Sequence, residues 1–188
     1  MKKVRSSVSL FLIAMVFGML SSVQAQSKYI DKKGNLTFEA SEELFEPVKA
    51  TNESVTVILN TATGEIAALG LMKSFRFKNS LMEEHFNENY IESEVYPKAT
   101  FKGKLLNFNF SDLKENKVEA IVDGKIELRG KAKQINTPLS LSKVDGAIMI
   151  SGSFIVGPED FDIEIPSVVK NKIAKEIIVS LDFKLSQK

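Results

Sequence analysis

His85 is the only histidine among 188 residues, and it stands between Glu84 and Glu88. On a helix His85 and Glu88 are i, i+3 neighbours, so one face could offer an imidazole and a carboxylate to a metal ion or to acid–base chemistry. Two ligands are too few for a metal site, and there is no second histidine to add. A histidine packed where a helix meets a sheet, with one ring nitrogen hydrogen-bonded, is the better reading. Asp160 and Asp162 are the other acidic pair, on one side of an extended segment and away from Phe161. Paired carboxylates can serve hydrolysis, but the preceding Gly157-Pro158 marks a solvated loop edge. With no cysteine and no G-x-S-x-G elbow, thiol catalysis, thiolate metal sites and a hydrolase elbow fall away. No catalytic residue, metal or cofactor is expected.

The elements that would position these groups follow a leader. Lys2, Lys3 and Arg5 precede an apolar run from Val8 to Leu20, and Val23-Gln24-Ala25 supplies a small-residue cleavage pattern. Residues 1–25 therefore read as a secretory signal peptide cut after Ala25, which predicts a periplasmic or secreted protein with no retained transmembrane anchor. The leader holds three of the 25 basic residues and no acidic one, leaving 22 against 24. A chain this close to neutral has no basic stripe for nucleic acid. Without disulfides the exported part must be held by its own core, and its 163 residues are enough for one. Residues 26–34 form a short polar lead, and 35–188 form one domain.

Period-two alternation dominates that domain. Ile177, Val179, Leu181, Phe183 and Leu185 alternate with polar residues, as do the even positions from Val118 to Leu128. A two-residue turn at Asp123-Gly124 would put Glu127 and Arg129 on the apolar face, so one continuous strand is predicted there. At Asp145-Gly146 the same test favours a hairpin, pairing Leu141 with Ile150, Leu139 with Gly152, Thr137 with Phe154 and Ile135 with Val156. The apolar frame slips between Phe101-Gly103-Leu105 and Leu106-Phe108-Phe110, which predicts a β-bulge. Further strands are expected at 36–40, 54–59 and 73–78.

Gly103, Gly124 and Gly152 fall mid-strand on the apolar face. Inward glycines relieve crowding where a sheet bends, which favours an antiparallel up-and-down β-barrel of about eight strands, with a β-sandwich as the alternative. Two helices interrupt it. The first, near 81–90, groups Leu81, Met82, His85, Phe86 and Asn89 on one face, with Ser80 as N-cap and Glu83 completing a capping box. The second, near 167–174, follows Pro166. The inward face either fills the lumen or leaves room for one ligand.

Three segments carry a family likeness. His85 followed by a hydrophobe and an acidic-polar turn leads to Tyr96-Pro97-x-x-x-Phe101. Gly124-Lys125-Ile126-Glu127-Leu128-Arg129-Gly130 precedes Thr137-Pro138-Leu139. Gly152-x-Phe154 precedes Asp160-Phe161-x-Ile163. In this order, across Thr63 to Leu185, the chain resembles the YceI-like family and is similar to its short members from Bacteroidetes-type bacteria. It departs where Met82-Glu83-Glu84 replaces an Arg-Asp pair before the histidine, and where Asp162 replaces a glycine.

The resemblance implies an exported, lipocalin-like barrel that sequesters or carries a long apolar, isoprenoid-like lipid in its lumen, without catalysis. The lumen residues then expected are Phe75, Phe77, Phe86, Phe101, Phe108, Phe154, Val179, Leu181 and Phe183. The alternative is a barrel with a filled core, acting through protein contacts of its outer surface in the envelope. A hydrolase using His85 is the third reading.

Overall fold

The computed structural model describes residues 27–41 and 45–188; the expected signal peptide lies outside them. Eight antiparallel strands close into a barrel in the order β1 (Lys28–Ser41), β2 (Lys49–Asn60), β3 (Glu65–Leu71), β5 (Lys98–Leu106), β6 (Val118–Leu128), β7 (Lys131–Val144), β8 (Ala147–Val156) and β9 (Ile173–Gln187). β1 pairs with both β9 and β2, which closes the ring and leaves no open edge. A ninth, two-residue strand β4 (Arg76–Phe77) adds to the end of β2. Among the described residues no helix is long and apolar enough to cross a membrane.

The alternation argument holds for β6 and for the half of the β7–β8 hairpin next to its turn. β6 runs unbroken through Asp123-Gly124. Asp145 and Gly146 make the β7–β8 turn, both with positive φ, and Leu141 faces Ile150 while Leu139 faces Gly152. The ladder ends there, so the expected pairs Thr137–Phe154 and Ile135–Val156 do not form; Thr137 Oγ1 instead donates to the Ser153 carbonyl at 2.9 Å.

Other expectations need correction. β1 begins at Lys28, inside the segment read as a polar lead, and its Tyr29 is buried. The chain between Leu105 and Phe110 does not bulge. β5 stops at Leu106, Asn107 takes a φ of 50°, and the following loop folds under the barrel. There Phe108 and Phe110 meet edge-on with ring centroids 5.0 Å apart, beside the buried Leu113. The strand expected at 73–78 shrinks to β4. The Asn52 side chain donates to the Leu71 carbonyl at 3.0 Å, and a tight turn Met72–Ser74 follows directly. β3 (Glu65–Leu71) carries the pairing that the sequence reading left unassigned.

The first helix, α1 (Ser80–His85), is capped by Asn79 rather than Ser80: its Oδ1 accepts from the Leu81 and Met82 amides at 2.9 and 3.4 Å. Glu83 faces away from the cap and accepts from the Arg76 guanidinium at 2.8 Å and the Phe77 amide at 3.1 Å. A wider turn, Phe86–Tyr90, continues α1 and closes with an Ile91 N–H to Phe86 carbonyl bond of 2.9 Å. The helix expected near 167–174 is absent. Residues 167–172 make successive tight turns, with bonds from Val169 to Pro166 and from Lys172 to Val169. Val168 is 79 % exposed, so a helix there would have no apolar face to bury.

Candidate functional site: a cavity in one half of the barrel

Inward side chains change size along the barrel, and this decides where it is hollow. Toward the end carrying the β7–β8 turn they are large: Leu59, Leu105, Leu139, Leu141, Ile150 and Leu185 are all buried at 3 % exposure or less. They interlock with Val57, Phe183 and Leu113 into a filled core. Toward the other end β3 presents Ala68 and Gly70, β5 presents Ala99, and β1 presents Ala40 next to its last residue. That half holds a cavity of about 470 Å3 that opens to solvent at its rim, within the range of small-molecule sites.

Leu36, Val55, Ala68 and Phe101 form its floor, since each lines the cavity and also belongs to or packs on the filled core. Ile126 and Leu128 of β6, Val156 of β8 and Val179 of β9 supply the walls. Gly103 and Gly124 face each other across β5 and β6 just below. A Cβ on either would stand 2.7 or 2.6 Å from Cζ of Phe101, so the bare backbone is what seats the Phe101 ring.

An aromatic cap covers the open end. Phe38 of β1, Phe75, Phe77 and Phe86 form a contiguous cluster, with ring centroids 5.1–5.8 Å apart in five pairs. Offset and edge-on contacts of this kind add to simple burial. Met72 and Ile91 are buried behind them. Exposed His85, Glu46 and Lys172 stand where the cavity meets solvent, so the charged lining groups sit at the rim.

Ion pairs outside the lumen hold the rim loops. Arg129, in the β6–β7 turn, pairs with Glu92 and donates to the Asp162 carbonyl, joining the loop after α1 to the loop after β8. Its guanidinium carbon lies 6.0 Å from the Tyr96 ring centroid. Lys131 meets Asp162 at 2.6 Å, and that carboxylate holds the lysine above its usual pKa. Asp160 pairs with Lys133 and accepts the Gly157 amide at 2.6 Å. Burial pushes the Asp160 pKa up, but the Gly157 amide and Lys133 outweigh it and leave the group below its usual value. The two aspartates are thus bonded to β7 lysines outside the cavity. Their loop does supply Phe161 and Ile163 to its wall.

Of the nine lumen residues expected from the sequence, Phe75, Phe77, Phe86, Phe101 and Val179 line the cavity. Four lie elsewhere. Phe183 and Leu181 belong to the filled half, where the Phe183 ring lies so close to Gly34 that a Cβ there would be 2.7 Å away. Phe108 closes the bottom in the β5–β6 loop, and Phe154 packs on a side cluster with Ile135 and Val156. The sequence reading missed Phe38, Met72, Ile91 and the small residues Ala68, Gly70 and Ala99. Alternation on β3 from Ile66 through Ala68 to Gly70, with size falling toward one end, is the signal that marks the hollow half. His85 is exposed at the rim rather than packed, and among the described residues no group of three acidic or histidine side chains is placed to hold a metal.

The comparisons agree with this architecture. The family model described as a YceI-like domain matches residues 5–185. A polyisoprenoid binding domain from Saccharophagus degradans, implicated in plant cell wall breakdown, superposes with a TM-score of 0.76 at 16 % identity, covering 87 % of this chain and 99 % of that one. BcnA from Burkholderia cenocepacia gives 0.65 at 15 % identity, covering 81 % and 96 %. A YceI protein from Campylobacter jejuni gives 0.57 at 14 % identity, covering 74 % and 86 %. At these identities the structures establish a shared fold. No curated protein matches the sequence.

Proposed function

The chain belongs to the YceI-like domain family, and from that premise we propose that it is an exported carrier holding one apolar, isoprenoid-like lipid chain in the hollow half of its barrel. The observation that carries this is the contrast within one lumen. One half is packed solid, whereas the other keeps about 470 Å3 open behind an aromatic cap. The apolar side chains of its wall offer water no hydrogen bonds. An apolar chain filling it contributes roughly 0.8 kcal/mol per buried methylene. Charged groups at the rim leave room for a polar head beside Glu46, His85 and Lys172. The polyisoprenoid binding of the Saccharophagus domain supports the choice of chain. The basic start, apolar run and Val23-Gln24-Ala25 of residues 1–25 read as a signal peptide, which supports export to the periplasm or beyond.

No step of covalent chemistry is proposed. Among the described residues no hydrogen bond joins His85 to a hydroxyl or amine of the wall, and His85 is at the solvent edge. Titration of the protein with N-phenylnaphthylamine, a fluorophore that brightens in apolar sites, tests the reading. Saturable one-to-one brightening reversed by farnesol is expected. Absence of saturable binding to folded protein would overturn it.

A further inference from the structure

We propose that Phe101 is a chain-length stop: its ring closes the lumen so that an apolar chain of about 20 carbon atoms, or about four isoprene units, fits and longer ones gain nothing. This rests on the reading of the lumen as a lipid site. Three observations lead to it. First, Phe101 lies on the boundary, lining the cavity on one side and packing on the filled core on the other. Second, the ring is seated against the Gly103–Gly124 pair, where any Cβ would displace it. Third, the core immediately beneath is closed, with Leu105 and Val122 each 2 % exposed. A chain entering from the capped end must stop at this ring.

The capacity follows from volume. An apolar cavity of about 150 Å3 accommodates a benzene ring. By that ratio the 470 Å3 here takes about 19 carbon atoms. Carbons beyond that number remain outside the rim, where burial no longer contributes. Ala68 lies directly opposite Phe101 in the β3–β5 ladder and also faces the cavity. The depth of the floor is therefore set by this pair, and changing either residue should move it in opposite directions.

The test is displacement of N-phenylnaphthylamine by geraniol, farnesol, geranylgeraniol and geranylfarnesol from wild type, Phe101→Ala and Ala68→Leu. For wild type, affinity should rise at least about tenfold with each isoprene unit up to geranylgeraniol and less than about twofold beyond it. Ala68→Leu should bring that break down to farnesol, and Phe101→Ala should carry it up to geranylfarnesol. If Phe101→Ala fails to fold, the wild-type series and Ala68→Leu decide alone. Affinity that climbs through geranylfarnesol in wild type, or a break that stays in place in a folded variant, overturns the stop while leaving the lipid site standing. Folded wild type that binds none of the four alcohols overturns the lipid site itself, and the stop with it.

Discussion

Phe38 and Phe86 stack with ring centroids 5.3 Å apart and their planes at 27°. This contact joins a barrel strand to the turn that continues α1, and it makes Phe86 the hinge of the cap, since the same ring also touches Phe75 and Phe77. Phe86→Ala should therefore do two things. It should lower the unfolding free energy by about 1–3 kcal/mol, less than for a fully buried ring because Phe86 is half-buried. It should also release bound N-phenylnaphthylamine several-fold faster, since the cavity loses part of its cover. Stopped-flow dilution and urea titration read the two effects separately, and an unchanged release rate would show that the cap does not gate the lumen.

Asn52 holds the place where β2 and β3 part. It is fully buried, donates to the Leu71 carbonyl, and accepts from the Ser54 amide at 2.9 Å and hydroxyl at 2.8 Å. Asn52→Ala removes three hydrogen bonds whose partners, on the exposed Leu71 and Ser54, turn to water instead, so a net loss of about 1 kcal/mol is expected in urea titration. A cost below about 0.5 kcal/mol would mean that the split between these strands is held by packing alone.

The Asp160–Lys133 pair gives stability a defined pH dependence. The folded carboxyl lies below its unfolded value, so the stabilisation is complete above the ordinary carboxylate range, about pH 4, and is lost as pH falls through the folded value. Asp160→Asn should melt below wild type at pH 7, by the equivalent of about 1 kcal/mol for a pair partly open to water. The gap should narrow as the pH is lowered below about 4, toward the folded value. A gap that stays unchanged there would assign the loss to loop geometry rather than to charge.

His85 is exposed at the rim and outside the aromatic cluster. His85→Ala should leave stability within about 0.5 kcal/mol and N-phenylnaphthylamine affinity within about twofold. A tenfold loss of affinity would make it a ligand contact instead.

The strands were legible because a half-buried strand writes its two faces directly into the sequence. β6 and the Leu141–Ile150 register follow from alternation and one turn, without reference to anything distant. Local signals failed where a remote group decided the outcome. The end of β3 depends on Asn52, 19 positions away in sequence from the Leu71 carbonyl it holds. The slip of apolar frame after Leu105 signalled a loop that plugs the barrel, not a bulge, because Phe108 and Phe110 find their partners beneath the strands. Pro166 suited a helix start, yet only Val169 of the pair faces the cavity, and Val168 stays in solvent with nothing to pack on. The lumen was half legible. Aromatic residues mark both the cavity and the filled core, so Phe101 and Phe183 look alike in sequence. Their separation depends on the small residues opposite them, Ala68 for one and Gly34 for the other.

Native mass spectrometry of the protein purified from its own host tests the central claim most directly. The account predicts one apolar molecule per chain, released by organic extraction and carrying an unbranched or isoprenoid tail that Phe101→Ala protein exchanges for a longer one. Protein that is folded and reproducibly empty would contradict it.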